Sequence, residues 1–396
     1  MNEWKKVRFL DVVHLNPRIS LEKGVEYPFV EMSNVVPCAR KPEKDVFKKY
    51  LGEGTKFEQG DTIVARIEPC LQNGKGFQCS YKQGFGSTEF LVFRPVNIND
   101  LDCDFLYYYM GQQSIREAMA KTMVGASGRQ RVNNKVFNDL QINLPPLSTQ
   151  HRIASILSRY DSLIENYQKQ IKLLEEAAQR LYKEWFVDLR FPGHENTNIV
   201  DGVPEGWERK KVGEIGTVIT GKTPSTSNKE NYGGSIPFIT IPDMHTGIYP
   251  VSSVFLSEKG AESQSKKYIP QGALIVSCIG TAGLVCITKE RCQTNQQINS
   301  LILDDKEMLH YMYFVFLSLK EHLNNIGSNG ATMTNVNKSK FEGIDIVVPS
   351  SCIIRDFSQR TTPYFENIKS LQSQLRLLTE ARDRLLPKLM SGEITV

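Results

Sequence analysis

The segment from Gly216 to Thr223, GTVITGKT, has the residue types and spacing of a phosphate-binding loop, G-x-x-x-x-G-K-[ST]. In such a loop, consecutive backbone N–H groups surround a phosphate, the lysine neutralises it, and a long helix follows. Here the intervening residues are the β-branched TVIT, which favour extended backbone, and Pro224 with a polar stretch follows instead of a helix. We therefore expect no nucleotide site; the alternative is an NTPase that binds ATP through Lys222.

Other catalytic residue sets are missing from the sequence. The chain contains no G-x-S-x-G elbow, no H-E-x-x-H helix and no [ND]-P-P-[FY] segment of the kind used by amino-methyltransferases. Its six histidines occur singly, and its eight cysteines form no C-x-x-C pair. These observations predict reduced thiols, no metal site and no catalytic centre.

The composition is that of a globular protein with two domains. Of the 396 residues, 40% are hydrophobic and 23% are charged, and the net charge of +4 permits binding to a polyanion without requiring it. The N-terminal segment MNEWKKVRFL is not a secretion leader, and no apolar run is long enough to span a bilayer, so we expect a cytoplasmic protein.

The sequence contains two related copies of one unit. Val132 and Ile142 recur as Val336 and Ile346, an offset of 204 residues, and the segment 168–181 recurs at 372–385. Short β-rich runs such as DTIVARI and GALIVSCI, separated by Gly-rich turns, occupy the front of each copy. They predict two mixed, mostly β domains at 1–147 and 191–350, related by a pseudo-two-fold repeat.

A long amphipathic helix is predicted after each domain, over 148–190 and 351–396. Ser148 or Thr149 is expected to cap the first helix, and Pro192-Gly193 to end it. Its apolar residues step alternately by four and three, as in a coiled-coil seam: Ile153, Leu157, Tyr160, Ile164, Tyr167, Ile171, Leu174, Ala178, Leu181 and Trp185.

The second helix keeps the same phase, although Thr361 and Arg382 interrupt its seam. Two matching seams are expected to pair with each other, antiparallel, rather than each covering only its own domain. The sequence thus predicts an α+β fold in which two domains are joined by a coiled coil of two long helices. The seam residues of the second helix are Phe357, Tyr364, Ile368, Leu371, Leu375, Leu378, Leu385 and Leu389.

With these features the chain resembles the specificity (S) subunit of type I restriction-modification systems, the HsdS family. The resemblance covers essentially the whole length. Its most specific segments are residues 144–186, TGKTPS at 220–225, GATMTNVNKSKFEGIDIVVP at 330–349 and LLTEARDRLLPKLMSGEI at 377–394. The Gly-x-Thr-Pro-Ser turn, typical of these recognition domains, accounts for the phosphate-loop match. The second copy departs from the family pattern at PSSCIIRDF, where a proline-rich, Gln-containing helix start is usual.

The resemblance implies a non-catalytic DNA-binding subunit. Each target-recognition domain would read one half of a bipartite, asymmetric site, and the helices would set the gap between the halves, about one turn of DNA. The family's partners are two methyltransferase subunits, which modify adenine N6 with S-adenosylmethionine, and restriction subunits that use ATP and Mg. No cofactor is therefore expected in this chain.

Polar loops supply the candidate DNA contacts. Amide and guanidinium groups can form bidentate hydrogen bonds with base edges, and cations hold phosphates. In the first domain the candidates are Asn73, Lys75, Gly125, Ser127, Arg129, Gln130 and Arg131. In the second they are Lys222, Thr223, Ser225, Asn295, Gln296, Gln297, Asn329, Thr332 and Asn335. For the Gly-Ala turns at Gly125 and Gly330, the alternative to DNA contact is a purely structural role.

Two other functions are compatible with the same domains and helices. The specificity subunit of a multi-subunit type II restriction enzyme would work with a partner that carries the nuclease in the methylating polypeptide. A coiled-coil scaffold without DNA binding would show no salt-dependent affinity for duplex DNA.

Overall fold

The computed structural model of the chain describes residues 4–126, 128–328 and 335–396. These residues form two compact units. Unit 1 contains the residues up to Asn166 together with Arg376–Val396, and unit 2 is Tyr167–Leu375. Each of the two long helices therefore contributes one section to each unit.

The first half of the chain is a series of short strands and helices that ends in one long helix. In chain order these elements are β1 (Lys5–Arg8), α1 (Phe9–Val12), β2 (Val13–Leu15), β3 (Glu26–Val30), β4 (Phe47–Lys49), β5 (Thr55–Glu58), β6 (Thr62–Ala65), β7 (Gly76–Gln78), β8 (Gln83–Gly86), β9 (Phe90–Pro95), α2 (Cys103–Met110), α3 (Gln113–Ala120), α4 (Val136–Asp139), β10 (Gln141–Leu144) and α5 (Leu147–Tyr182).

The second half repeats most of this order and also ends in a long helix; it adds a hairpin at 199–204 and has a short helix, Glu258–Glu262, where the first half has β5. Its elements are β11 (Ile199–Val200), β12 (Val203–Pro204), β13 (Glu208–Lys211), β14 (Gly216–Thr220), β15 (Tyr232–Ile239), β16 (Val254–Leu256), α6 (Glu258–Glu262), β17 (Leu274–Ser277), β18 (Val285–Ile287), β19 (Gln293–Thr294), β20 (Ile298–Leu303), α7 (Leu309–Ser318), α8 (Lys320–Ser328), α9 (Lys338–Glu342), β21 (Asp345–Val348) and α10 (Ser351–Ser391).

The two copies share one sheet topology. The central antiparallel sheet has the order β2-β9-β6-β7 in unit 1 and β14-β20-β17-β18 in unit 2. In a second sheet, β3 lies between antiparallel β4 and parallel β8, just as β15 lies between antiparallel β16 and parallel β19. The first and last strands of each domain also pair, β1 with β10 and β13 with β21. This confirms the predicted repeat of two mixed, mostly β domains.

The first long helix begins on a buried glutamine. Gln150 is completely buried, and its side-chain amide accepts from Asp102 N at 2.9 Å and donates to the carbonyl oxygens of Asp100 and Pro145. These bonds anchor the helix start on its own domain, and within the described part of the chain neither Ser148 nor Thr149 makes a side-chain cap. The second copy has Ile354 at this position, 2% exposed, so apolar packing replaces the anchor.

The end of this helix differs from the prediction. Instead of continuing to Pro192, α5 gives way to a π-helical turn over Lys183–Val187. The Lys183 ammonium binds the Asp188 carboxylate at 2.6 Å, and the Asp188 N–H donates to the Lys183 carbonyl. Leu189 then takes a φ of 57°, which no helix can continue.

The predicted seam positions lie against apolar cores in both units. In unit 1, Ile153 and Leu157 of α5 share a core with Leu389 of α10. In unit 2, Ala178 near the end of α5 shares a core with Phe357 near the start of α10. In each unit an early section of one helix thus packs with a late section of the other, which is antiparallel pairing. The remaining seam residues are buried or half-buried: Tyr160, Ile164, Tyr167, Ile171, Leu174, Leu181, Trp185, Tyr364, Ile368, Leu371, Leu375, Leu378 and Leu385.

Arg382 does not interrupt the seam, contrary to the sequence prediction. Its side chain is only 10% exposed, and its Nη1 lies 2.8 Å from a carboxylate oxygen of Asp161, which is 6% exposed. The second oxygen of Asp161 accepts from the Tyr108 hydroxyl, and Arg382 also donates to the carbonyl of Cys38. The seam of unit 1 therefore contains a buried, hydrogen-bonded ion pair.

Thr361 also keeps the seam phase as a buried polar residue. Its hydroxyl donates to the Phe357 carbonyl at 2.8 Å and lies 2.9 Å from Nδ1 of His310. The imidazole of His310 stacks on Phe365 with ring centroids 4.0 Å apart. Burial lowers the pKa of His310 to about 4, because the cationic form loses its hydration.

Acidification is expected to destabilise unit 2 through His310. Above pH 6.5 the imidazole is neutral in both the folded and the unfolded chain; between pH 6.5 and about 4 only the unfolded chain binds the proton. The free energy of unfolding should then fall by up to about 1.4 kcal/mol per pH unit, about 1.5 kcal/mol in all between pH 6.5 and 5. Urea denaturation followed by tryptophan fluorescence measures this, since Trp185 and Trp207 both lie in unit 2.

The variant His310→Phe should lose this part of the pH dependence. The exposed His322, on α8, provides the matched control, and His322→Phe should behave as the wild type does. Equal losses of stability in His310→Phe and in the wild type would show that His310 is not responsible.

Candidate nucleic-acid interface

Polar loops of unit 2 converge beside its central sheet. The Lys222 N–H donates to the Thr294 carbonyl at 2.9 Å, and the Thr223 hydroxyl donates to Oε1 of Gln296 at 2.5 Å. Gly221 allows this approach, because a Cβ there would lie 2.1 Å from the carbonyl oxygen of Asn295. The loops at 221–225 and 294–297, far apart in sequence, thus form one surface.

The exposed members of this surface are the predicted Lys222, Ser225 and Gln296, while Thr223 and Gln297 are half-buried. Asn295 requires a correction, since only 8% of it is exposed. Its Oδ1 accepts from the Gln297 N–H, and its Nδ2 donates to Oε1 of Gln297. Asn295 therefore shapes the turn that presents the two glutamines, and its amide is not free for a base.

The segment before α9 reaches the same region. Asn335 is exposed and pairs with Ile279, while Val336 N donates to the carbonyl of Cys278, whose own N–H donates to Gln297. This chain of backbone bonds places Asn335 beside the Gln297 turn. The predicted contacts Asn329, Thr332 and, in unit 1, Ser127 lie outside the described residues.

In unit 1 the residues on either side of the predicted Gly-Ala turn, Val124 and Arg131, pair with each other. The backbone N–H and C=O of Arg131 both bond to Val124, at 2.9 and 3.0 Å, and Arg131 also bridges to Ile67. Gly125 has a φ of 125°, a backbone conformation that favours glycine, so glycine has a structural role at this position. Arg129 is exposed and Gln130 half-buried. The structure thus leaves Arg129 and Arg131 accessible to solvent, and their contact with DNA stays a prediction.

The loop that carries Asn73 and Lys75 begins at Glu68, which contacts the residue before Arg131: the Glu68 N–H donates to the Gln130 carbonyl at 3.0 Å. Asn73 is exposed. Lys75 is half-buried, and its ammonium donates to the Met32 carbonyl at 2.8 Å. Lys75 is thus engaged within the protein, unlike the freely exposed cation that the sequence predicted.

Sequence reasoning missed Glu89. Its carboxylate binds the guanidinium of Arg131 in a bidentate pair, with Nε 2.8 Å from Oε2, and the hydrogen bonds from Arg131 lower the pKa of Glu89. The structure shows that its turn matches one that the sequence did predict: the Glu89 N–H donates to the Ser87 hydroxyl as the Gln297 N–H donates to Oδ1 of Asn295. Ser87-Thr88-Glu89 and Asn295-Gln296-Gln297 are therefore equivalent turns, each leading into the strand next to β6 or β17.

Most of the phosphate-loop match is a strand, which ends before Gly221. Gly216–Thr220 forms β14, which pairs with Leu303–Asn299 of β20 along its whole length. The extended backbone of these residues is that of a sheet strand, not of a loop wrapped around a phosphate. Within residues 4–126, 128–328 and 335–396, no group of three or more acidic, histidine or cysteine side chains could hold a metal ion.

Known proteins share the repeat of this chain. The family model described as "Type I restriction modification DNA specificity domain" matches residues 1–176 and again 204–359. The chain belongs to the type I restriction-modification DNA specificity family. The two matches coincide with the two copies of the repeat, so each copy is one specificity domain.

Relatives in this family match over long stretches. The chain is 34% identical over 467 aligned positions to the specificity subunit of the type I restriction enzyme HindI from Haemophilus influenzae, with 100% of both chains covered. It is 29% identical to the MjaIX specificity subunit of Methanocaldococcus jannaschii, over 74% of this chain and 69% of that one. The fold is shared with the S subunit of a type I system from M. genitalium, at a TM-score of 0.59 and 17% identity over 98% and 96% of the two chains.

Membership in the specificity family defines the role of the chain. It supplies DNA sequence specificity to a restriction-modification system, and it is not itself the catalyst. None of the helices in the described part of the chain is both long and apolar enough to cross a membrane.

Proposed function

We propose that the chain selects a bipartite DNA site, with each unit reading one half. The observation that supports this is the duplicated cluster of polar turns. Ser87-Thr88-Glu89 with Arg131, and Asn295-Gln296-Gln297 with Asn335, occupy the same positions on one repeated topology. Because the two clusters carry different side chains, the two half-sites would differ and the whole site would be asymmetric.

Two methyltransferase subunits are the proposed direct partners, with restriction subunits added to that core. Each unit has a cavity beside the helix that follows its central sheet, about 490 Å³ in unit 1 and about 460 Å³ in unit 2. Leu386 lines the first, and Tyr182, its counterpart 204 residues earlier in the repeat, lines the second. Two equivalent surfaces favour two copies of one partner.

S-adenosylmethionine, ATP and Mg would be bound by those partner subunits, and this chain would hold no cofactor. The complex would work in the cytoplasm, where the DNA it reads is found. Lys and Arg contacts to phosphates would make its affinity fall with rising salt.

The test is single-molecule methylome sequencing in a host free of DNA methylation. The host expresses the chain together with the methyltransferase encoded beside it, and a control lacks the chain. We expect a bipartite N6-methyladenine motif that depends on the chain. A folded complex that yields no motif, or a motif that persists without the chain, would contradict the proposed function.

A further inference from the structure

We infer that Arg131 reads a guanine in the half-site bound by unit 1, and that Glu89 is the positioning residue that holds Arg131 for this contact. The inference rests on the proposed function, because it assumes that this half-site exists. It adds a base identity and a residue whose role the sequence did not reveal.

The backbone of Arg131 is fixed on two sides. Its N–H and C=O both bond to Val124, the opposite side bridges to Ile67, and the next residue, Val132, donates to the Arg66 carbonyl at 2.9 Å. A reading side chain needs such support, since a displacement of about 1 Å is enough to lose a productive geometry. Arg129, two residues earlier, lies in the exposed turn and makes no ion pair with any residue that the structure describes.

The side chain of Arg131 is held from one edge. Nε and Nη2 both donate to Glu89, while Nη1 forms no hydrogen bond with a described residue. The side chain of Arg131 is 49% exposed and that of Glu89 21% exposed. The carboxylate therefore orients the planar guanidinium, and the edge formed by Nη1 and the outer N–H of Nη2 is free for a ligand.

That free edge presents two parallel donors and no acceptor. In the major groove, guanine offers two acceptors, O6 and N7, at matching spacing, whereas adenine places its N6 donor where O6 would be. The Arg131–Glu89 ion pair also carries no net charge, which weakens any general attraction to phosphate. A guanidinium that is oriented and neutralised is suited to read a base more than to hold the backbone.

The equivalent positions of unit 2 lack this pair. Asn335 occupies the place of Arg131, since each bridges to the equivalent isoleucine, Ile279 or Ile67, and Gln297 occupies the place of Glu89. Both are neutral amides. The effect of changing Arg131 or Glu89 should thus be confined to one base pair of one half-site.

The experiment compares methylome motifs of the full complex with the variants Arg131→Ala, Arg131→Gln, Glu89→Ala and Glu89→Gln. Arg131→Ala should reduce the preference for guanine at one position of the motif by about tenfold or more. Arg131→Gln should shift that position towards adenine, which Gln recognises through N6 and N7. Glu89→Ala should relax the same position, and Glu89→Gln, which keeps one acceptor, should recover part of the discrimination. Arg159→Ala, at an exposed position of α5 outside the polar turns, is the matched control and should leave the motif unchanged.

The half-site of unit 2 serves as an internal control for folding. For a variant too weak to methylate, equilibrium binding of its purified complex to duplexes that differ at that one base pair gives the same ratio. Guanine retained in both Arg131 variants, or a loss of specificity spread over all positions in Glu89→Ala, would overturn the inference. Absence of any motif with the wild type would instead contradict the proposed function.

Discussion

Replacing residues 1–147 with the matching residues of the Haemophilus influenzae relative is expected to change one half of the recognised sequence completely and to leave the other half intact. The polar turns of unit 1 all come from this segment, whereas those of unit 2 come from residues after 200. The two clusters share no residue, so the exchange replaces every proposed base contact of one half-site. Methylome sequencing of cells that carry the chimera with the methyltransferase measures both halves at once.

The unchanged half is the control for a folded chimera. The graft rejoins the chain at α5, whose Ile153 and Leu157 pack against the exchanged domain, so these positions have to suit the donor core. A second graft that also carries the donor's residues at 153–157 covers this case. A change in both halves of the motif would show that the two units do not read DNA independently.

Removing the Arg382 side chain is expected to destabilise unit 1 by about 3–5 kcal/mol. Arg382→Ala leaves the Asp161 carboxylate buried and charged, with Tyr108 as its remaining side-chain partner. An uncompensated buried charge costs far more than the ion pair itself contributes. Chemical denaturation, followed by far-ultraviolet circular dichroism, gives the change in the free energy of unfolding.

The double variant Asp161→Leu with Arg382→Leu should recover much of this loss, because it removes both charges and fills the seam with apolar volume. Arg376→Ala provides the matched control on the same helix. Its side chain is 47% exposed and pairs with Glu380 four residues on, so a loss below about 1 kcal/mol is expected. If Arg382→Ala were no more destabilising than Arg376→Ala, the pair would have no structural importance.

The helices could be predicted because their information is local. A step of four and three identifies one face of a helix from the apolar residues alone, and the same step recurs 204 residues later. The seam residues Thr361 and Arg382 were misread as interruptions, because their partners His310 and Asp161 lie 51 and 221 residues away. Periodicity indicates which face of the helix a residue occupies, but it does not indicate which distant residues that side chain contacts.

The candidate site was predictable in outline only. Gln296 and Lys222 could be selected as polar loop residues, and the fold brings their loops together. Residue type could not show that Asn295 is consumed by its own turn or that Lys75 is bound to a carbonyl. Glu89 was missed because a carboxylate is repelled by DNA phosphates, and its partner Arg131 is visible only in the structure.

The division of the chain between the two units sets an order of events during synthesis. Unit 1 requires residues 376–396, which leave the ribosome after the whole of unit 2. At ordinary elongation rates, the apolar face of Ile153 and Leu157 would wait roughly 10–50 s for Leu389 and Met390. The domain that is translated first is therefore completed last, and translation that stops early would release a chain with an intact unit 2 beside an unfinished unit 1.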